Sequence, residues 1–298
     1  MAVILLDGIV TRYTNYREND RIIDIFTLEK GRIDAKARGC RKPTSPLLPV
    51  CQPFVFGQFE LYHSKDKYTV NQCEIKESFY PLREDYTRFA YAAAMLQLIN
   101  SAVQENEPNE ALFSLLYHAL SFLAYGKCEP KDLFCCFLIR YLDRIGYRPS
   151  ITSCGRCGRD IRGDGRILFS PKLGGASCVA CGAGAVPVGK TSLEAMRRML
   201  LMEDRDMHKV VLNDRLRGEI LPALTGYAAY TLDYGMRAIR LLSTELNIES
   251  LFPGPTAPSA VGAGEAQGSF AAGKPKGSGP VTLKADAGTD PREHYDHG

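Results

Sequence analysis

No stretch of the 298 residues approaches the roughly eighteen consecutive apolar residues that cross a membrane. The apolar run at the start, Ala2 to Leu6, stops at Asp7, too short for the core of a secretory signal. These absences speak against a membrane-spanning or secreted role, and a cytoplasmic protein is expected. An excess of either charge is lacking as well. The net charge is only +3, so a polyanionic partner has to be argued from local clusters of cations. Enzyme signatures are missing: there is no Gly-x-Ser-x-Gly elbow, no His-Glu-x-x-His pair and no carboxylate cluster able to hold catalytic Mg²⁺. Gly184 to Thr191 has the spacing of a phosphate loop. It is, however, the exit of a cysteine module, with no upstream strand expected and no hydrolase pattern behind it, so the match is accidental. Histidines are few. His63, His118 and His208 stand apart from one another, and His294 and His297 lie in a polar C-terminal stretch, so none suggests a metal or catalytic pair. An enzyme is not expected.

What is present begins with cysteine. Cys154-Gly-Arg-Cys157-Gly is followed twenty residues later by Cys178-Val-Ala-Cys181-Gly. Two Cys-x-x-Cys turns can present four thiolates to one point and close a tetrahedron around Zn²⁺. Gly158 and Gly182 follow the second cysteine of each pair, where freedom to adopt positive φ turns backbone amides toward sulfur. The intervening loop is rich in glycine and charge and poor in apolar residues, so a crosslink is expected to hold it. The other six cysteines (Cys40, Cys51, Cys73, Cys128, Cys135, Cys136) show no pairing logic, which favours metal over disulfides. An iron–sulfur cluster accepts the same ligand set and stays open as an alternative. With all four positions held by cysteine and none open to water, the site is expected to be structural.

Residues 1 to 80 have the texture of a small barrel. Val3–Arg12, Arg21–Leu28, Arg32–Arg38, Phe54–Tyr62 and Tyr68–Lys76 are short, rich in β-branched and aromatic residues, and separated by turn chemistry such as Glu29-Lys30-Gly31. In the third, Arg32, Asp34, Lys36 and Arg38 alternate with Ile33, Ala35 and Ala37, which sends the cations to one face and the apolar residues inward. Arg41 and Lys42 extend that face. Five cations against one carboxylate suit a phosphate backbone, which an OB-type barrel binds along its exposed sheet while aromatic rings stack on bases. Arg12 and Arg21 on neighbouring strands, with Tyr13 and Tyr16 nearby, extend the pattern; an ordinary solvated strand face is the competing account.

From Glu84 the apolar period lengthens to about three and a half. Phe89, Ala93, Leu96, Ile99 and Val103 mark one amphipathic helix, and Leu112, Leu116, Ala119 and Leu123 a second that starts near Pro108-Asn109. Pro130 opens a third, carrying Phe134, Phe137, Leu138, Tyr141 and Ile145. The cysteine module, residues 152–188, interrupts this helical region of 81–252. Behind it Thr191-x-x-Glu194 suggests a capping box, and a further helical stretch runs from about Asn213 to Leu246, bent or split at Pro222 and crowded with Tyr227, Tyr230, Tyr234, Arg237 and Arg240. Residues 253–298 turn to Pro, Gly, Ala, Ser and Thr and are expected to be a disordered tail with no assigned role. The expected class is α+β: a five-stranded OB-fold barrel, then an α-helical domain with an inserted Cys₄ zinc module.

The order of short motifs carries a resemblance. Gly8-Ile-Val-x-Arg12, Tyr16-Arg-Glu18-Asn-Asp20-Arg-Ile, Phe26-Thr27, Gly31-Arg32 and Lys36-Ala-Arg38-Gly39 are followed by Pro53-Phe54, Pro108-Asn109-x-x-Leu112-Phe113 and Leu142-x-x-x-Gly146-x-x-Pro149. Cys154-x-x-Cys157 and Gly174-Gly175-x-x-Cys178-x-x-Cys181 complete the series. Together they resemble the RecO family of bacterial recombination mediators over about residues 1–250. The resemblance implies a non-enzymatic protein that binds single- and double-stranded DNA, anneals complementary strands and, with RecR, helps RecA displace single-strand-binding protein. It further implies contact with the acidic C-terminal tail of that protein through the helical domain, RecF as another candidate partner, and a cytoplasmic, nucleoid-associated setting.

Carried over by position, Arg12, Arg21, Arg32, Lys36, Arg38, Arg41 and Lys42 would contact DNA, and Cys154, Cys157, Cys178 and Cys181 would bind structural Zn²⁺. One departure is Cys135-Cys136 on the third helix, where basic residues toward an acidic tail are expected; Lys131, Arg140 and Arg144 are the substitutes at hand. A zinc-stabilised OB-fold RNA-binding or translation-associated protein is the alternative that shares the barrel and the cysteines.

Overall fold

The computed structural model describes residues 2–182 and 184–232. Strands β1 (Ala2–Tyr16), β2 (Asp20–Thr27), β3 (Gly31–Ala37), β4 (Phe56–Ser64) and β5 (Lys67–Glu77) close a barrel in the order β1-β2-β3-β5-β4. Its interior is filled by Leu6, Val10, Ile23, Ile25, Ile33, Phe59 and Leu61. β1 runs further than its sequence suggests, because its hairpin with β2 continues to the pair Tyr16↔Asp20. On the way the register shifts between Val10 and Arg12, a bulge that absorbs Thr11. That single extra residue resets the alternation. Leu6 and Val10 point inward before it, Tyr13 packs on the interior after it, and Arg12, Thr14 and Tyr16 are left on the outside.

The barrel closes weakly on one side. β3 and β5 run parallel and share only the partners Ala35↔Tyr68 and Lys36↔Thr69. The segment 104–107 lies along this seam: the Arg32 amide donates to the Gln104 carbonyl (3.4 Å) and the Asn106 amide to the Arg32 carbonyl (3.1 Å). Gly31, at φ +65°, sits so close that a Cβ there would lie 1.9 Å from the Glu107 carbonyl oxygen, so only glycine fits.

That segment links two helices packed on the barrel. These are α1 (Tyr86–Ala102) and α2 (Glu110–Tyr125), followed by α3 (Pro130–Arg144). Asp85 and Asn109 cap the first two by accepting the amides of Arg88 and Leu112, both at 2.9 Å. Ile9, Phe26 and Phe54 of the barrel share a core with the helices. Phe26 meets Phe113 edge-on at 5.4 Å, and Phe56 meets Tyr117 at 5.2 Å. α1 is not the amphipathic helix its stripe suggests. Tyr91, Ala92, Ala94, Met95 and Leu98 are buried along with the stripe, because barrel, α2 and α3 surround it. α3 is likewise buried from Asp132 to Leu142, including Cys135 and Cys136.

The cysteine module contributes β6 (Ile167–Ser170), β7 (Gly175–Ser177) and β8 (Val186–Val188), an antiparallel sheet in the order β7-β6-β8. Then come α4 (Lys190–Leu201) and α5 (Asp214–Thr231). α5 is continuous through Pro222; Tyr234, Arg237, Arg240 and the tail 253–298 lie outside the described residues. The capping box expected at Thr191 and Glu194 is not formed. Gly189 is the N-cap, and the Glu219 carboxylate from α5 takes the role, accepting from the Gly189 amide (2.8 Å) and the Ser192 hydroxyl (2.6 Å). A strand does precede Lys190-Thr191, contrary to expectation, but Glu219 already occupies the helix N-terminus where a phosphate would bind, so Gly184–Thr191 is not an open phosphate loop.

Arg140 and Arg144, expected to face an acidic partner, turn inward to one anion. Asp204 accepts from both, at 2.6 and 2.7 Å, and from the Ser114 hydroxyl at 2.8 Å. Burial opposes ionisation of Asp204, but the hydrogen bonds from Arg144, Arg140 and Ser114 outweigh it and hold the carboxyl below the ordinary range. A depressed folded pKa gives stability that is complete above the unfolded value of about 3.9 and is lost as pH falls through the folded value. Asp204→Ala strands Arg140 without its anion and should destabilise the protein by about 3–5 kcal/mol at neutral pH in urea unfolding, the gap to wild type narrowing below about pH 4. A neutral-pH loss under about 1 kcal/mol would instead class the pair with surface ion pairs.

Candidate nucleic-acid interface and metal centre

The four module cysteines converge. Their sulfurs all lie within 4.8 Å of one another. A tetrahedral ion with metal–sulfur bonds near 2.3 Å needs sulfurs about 3.8 Å apart, so the cage fits with a small contraction. Each turn is built by its backbone: the Gly158 amide donates to the Cys154 carbonyl (2.8 Å) and the Gly182 amide to the Cys178 carbonyl (2.9 Å). Burial raises the Cys154 thiol, but the amides of Cys157, Cys178 and Arg156 aim at its sulfur and bring it down to about 6. Cys178 is lowered in the same way, first by the Cys181 amide. Such amide-ringed thiolates suit a cation.

The two glycines serve different ends. Gly158 adopts φ +72° as expected. Gly182 is not in the left-handed region; a Cβ there would come within 2.5 Å of the Ser177 hydroxyl and 2.8 Å of Leu168, so space decides it. The loop is also less dependent on a crosslink than its composition suggests. Ile161, Ile167, Phe169 and Ala176 are buried in the helical core, and Phe169 meets Tyr227 of α5 edge-on at 6.1 Å. The metal would therefore fix the two turns on a sheet that is already anchored.

On the barrel, the bulge at Thr11 and the registers Arg12↔Asp24↔Asp34 and Thr14↔Ile22↔Lys36 assemble one outward face from β1, β2 and β3. The Lys36 ammonium lies 4.8 Å above the centre of the Tyr16 ring, and the Arg17 guanidinium 5.3 Å from it. Beside them opens a cleft of about 490 Å³ lined by Tyr16, Ile22, Arg32, Lys36, Lys67 and Tyr68.

The face is less one-sided in charge than β3 alone implies. Arg12 pairs with Asp24 at 2.8 Å, Lys36 with Asp20 at 3.0 Å, and Arg32 with Glu105 at 2.9 Å. Asp24 is buried, which raises its pKa against the pull of Arg12, and Asp34 across the register raises it further. Asp20 is held low, first by the Gly39 amide and then by Lys36. Arg21 leaves this face. Strand alternation puts it on the side of Ile23 and Ile25, where it stacks on Tyr13 at 4.0 Å and donates to the Cys51 carbonyl at 3.4 Å. Arg41 donates to the carbonyls of Arg17 and Glu18, tying the loop after β3 to the β1–β2 turn. Arg38 and Lys42 are exposed and make no ion pair among the described residues.

Residues 1–79 match the family model for the N-terminal part of recombination protein O, and residues 83–238 match the model for its C-terminal part. The chain belongs to the RecO family. The DNA repair protein RecO of Symbiobacterium thermophilum is 34% identical over 248 residues, which is 82% of this chain and 98% of that protein. RecO of Pelotomaculum thermopropionicum is 35% identical over 245 residues (81% and 94%), and that of Acetivibrio thermocellus 36% over 199 (66% and 78%). The gap between the two RecO models falls at the 3-10 turn Tyr80–Arg83, where the OB-fold barrel passes into the helices. Within this RecO frame the cleft has a wall that the chain order hides: Glu105 and Asn106, which carry no motif and reach β3 only through the fold.

Cys178→Ser should abolish metal binding by the cage and lower the melting temperature by about 4–8 °C, the shift expected of about 2 kcal/mol in a chain this size. An unchanged melting curve with metal content quantified would contradict a structural role.

Proposed function

We propose that this chain is a recombination mediator in DNA repair that binds single- and double-stranded DNA through the barrel, residues 1–80, and anneals complementary strands. The observation that carries the proposal is the ring-and-cation surface of Tyr16, Arg17 and Lys36 beside the free cations Arg38 and Lys42, joined to membership of the RecO family. Arg12 and Arg32 join the contact surface once released from their carboxylates, and Arg21 and Arg41 hold the neighbouring rings and turns in place. Annealing makes and breaks no covalent bond. A cationic surface lowers the repulsion between two phosphate backbones and releases their counterions, and stacking on tyrosine holds bases open for pairing. On this account the protein is not an enzyme, works in the cytoplasm on nucleoid DNA, and carries one Zn²⁺ in the Cys154, Cys157, Cys178 and Cys181 cage as a structural ion.

The helical domain, residues 81–252, is proposed to meet the partners: RecR, the acidic tail of single-strand-binding protein and, further, RecF, so that RecA is loaded onto coated single strands. With Arg140 and Arg144 held by Asp204, the cation that α3 can offer such a tail is Lys131.

Binding of a fluorescent single-stranded oligonucleotide across a salt series tests the proposal. Affinity should fall steeply with salt, and Lys36→Glu with Arg38→Glu should abolish binding at low salt while the protein stays folded. Unchanged affinity in the folded double variant would overturn it, and preference for structured RNA over the oligonucleotide in competition would transfer the face to RNA.

A further inference from the structure

Three cations of the barrel face are paired in the free protein, with carboxylates carried by the strands and by the α1–α2 segment. Asp24 is 6% exposed beneath an Arg12 that is 61% exposed. Asp20 accepts the Gly39 amide at 2.8 Å while it holds Lys36. Glu105 arrives from the α1–α2 segment, whose backbone is bonded to β3 on both sides of it, and holds Arg32. Strand and linker geometry thus supply one carboxylate to each of three cations, while Arg38 and Lys42 at the edge have none among the described residues.

We infer that Asp20, Asp24 and Glu105 are selectivity residues, which make the barrel face refuse short anionic ligands and accept only a strand long enough to engage several cations together. The inference rests on the proposed nucleic-acid role of this face. A single phosphate that takes Arg12 or Lys36 must leave a fixed carboxylate unpaired, an exchange of near-equal interactions with little net gain. A longer strand first meets Arg38 and Lys42. Its next phosphates then compete at the high local concentration of a tethered ligand, and each displacement also releases counterions from the strand. Each carboxylate subtracts a nearly constant amount from the cation it holds, so a short ligand that reaches only a paired cation is left with almost nothing, whereas a long one keeps what Arg38 and Lys42 give it.

The experiment compares fluorescent oligothymidylates of about 4 and about 20 nucleotides, the lower bound and beyond the usual footprint of one OB fold, at one low salt concentration. Wild type should bind the long strand and not the short one. Asp24→Asn and Glu105→Gln should each tighten the short strand by about two- to fivefold, bringing its binding toward a measurable range, and the long one by no more than that. Glu105 is exposed, so its variant reports even if Asp24→Asn perturbs the barrel. Unchanged or weaker short-strand binding in folded Glu105→Gln, with wild type binding the long strand normally, would overturn the inference and leave the carboxylates as mere positioners of the cations. Failure of wild type to bind either strand would instead remove the nucleic-acid role, and this inference with it.

Discussion

The apolar seam between barrel and helices decides what the rest of the molecule can do. Ile9, Phe26, Phe54 and Phe56 lie on the outside of a barrel whose interior is already full, and α1 and α2 cover them through Phe89, Phe113 and Tyr117. Burial of each such ring is worth about 1.5–3 kcal/mol, so the seam is strong enough to fix the barrel's orientation. Gly31 against Glu107 sets the closest approach. Part of the outer sheet is consumed by this contact. The stretches Arg12 to Tyr16, Asp20 to Asp24 and Arg32 to Lys36 are left over and carry the paired charges of the outward face.

Two kinds of electrostatics then coexist. Inside the helical part, Asp204 with Arg140 and Arg144, and Asp132 with Arg217 at 2.8 Å, lock elements distant in sequence and leave those groups nothing for a partner. On the barrel face Arg12 and Glu105 stand largely in water, which suits the exchange of carboxylates for phosphates proposed above. The cysteine cage belongs to the first kind. It shapes two turns on a sheet that Phe169 and Ile167 already fasten to the core, well away in the chain from the basic strand.

Much of this was legible in the sequence. Alternation placed the five strands, the Asn109 cap and Pro130 placed helix starts, and the two Cys-x-x-Cys turns named a cage that the fold closes. What was hidden involves neighbours that a single strand cannot report. The bulge at Thr11 reverses which side of β1 faces out, so Arg12 and Arg21, adjacent in a flat reading, end on opposite sides of the sheet. Asp20 and Asp24 lie outside the window in which five cations faced the one carboxylate of Asp34. Glu105 is seventy residues away, and Glu219 took over an N-terminus where Thr191 and Glu194 had the local pattern of a cap. α1 betrayed its all-round burial only by its run of alanines.

The most direct test of the account is hydrogen exchange of the whole protein with and without a saturating single-stranded oligonucleotide. Protection should concentrate in residues 12–24, 31–42 and 65–68, the outward strands and the rim of the cleft. Protection confined to the cysteine module and α4, which carry the exposed Arg156, Arg166, Arg197 and Arg198, would contradict the assignment of the barrel face as the nucleic-acid interface.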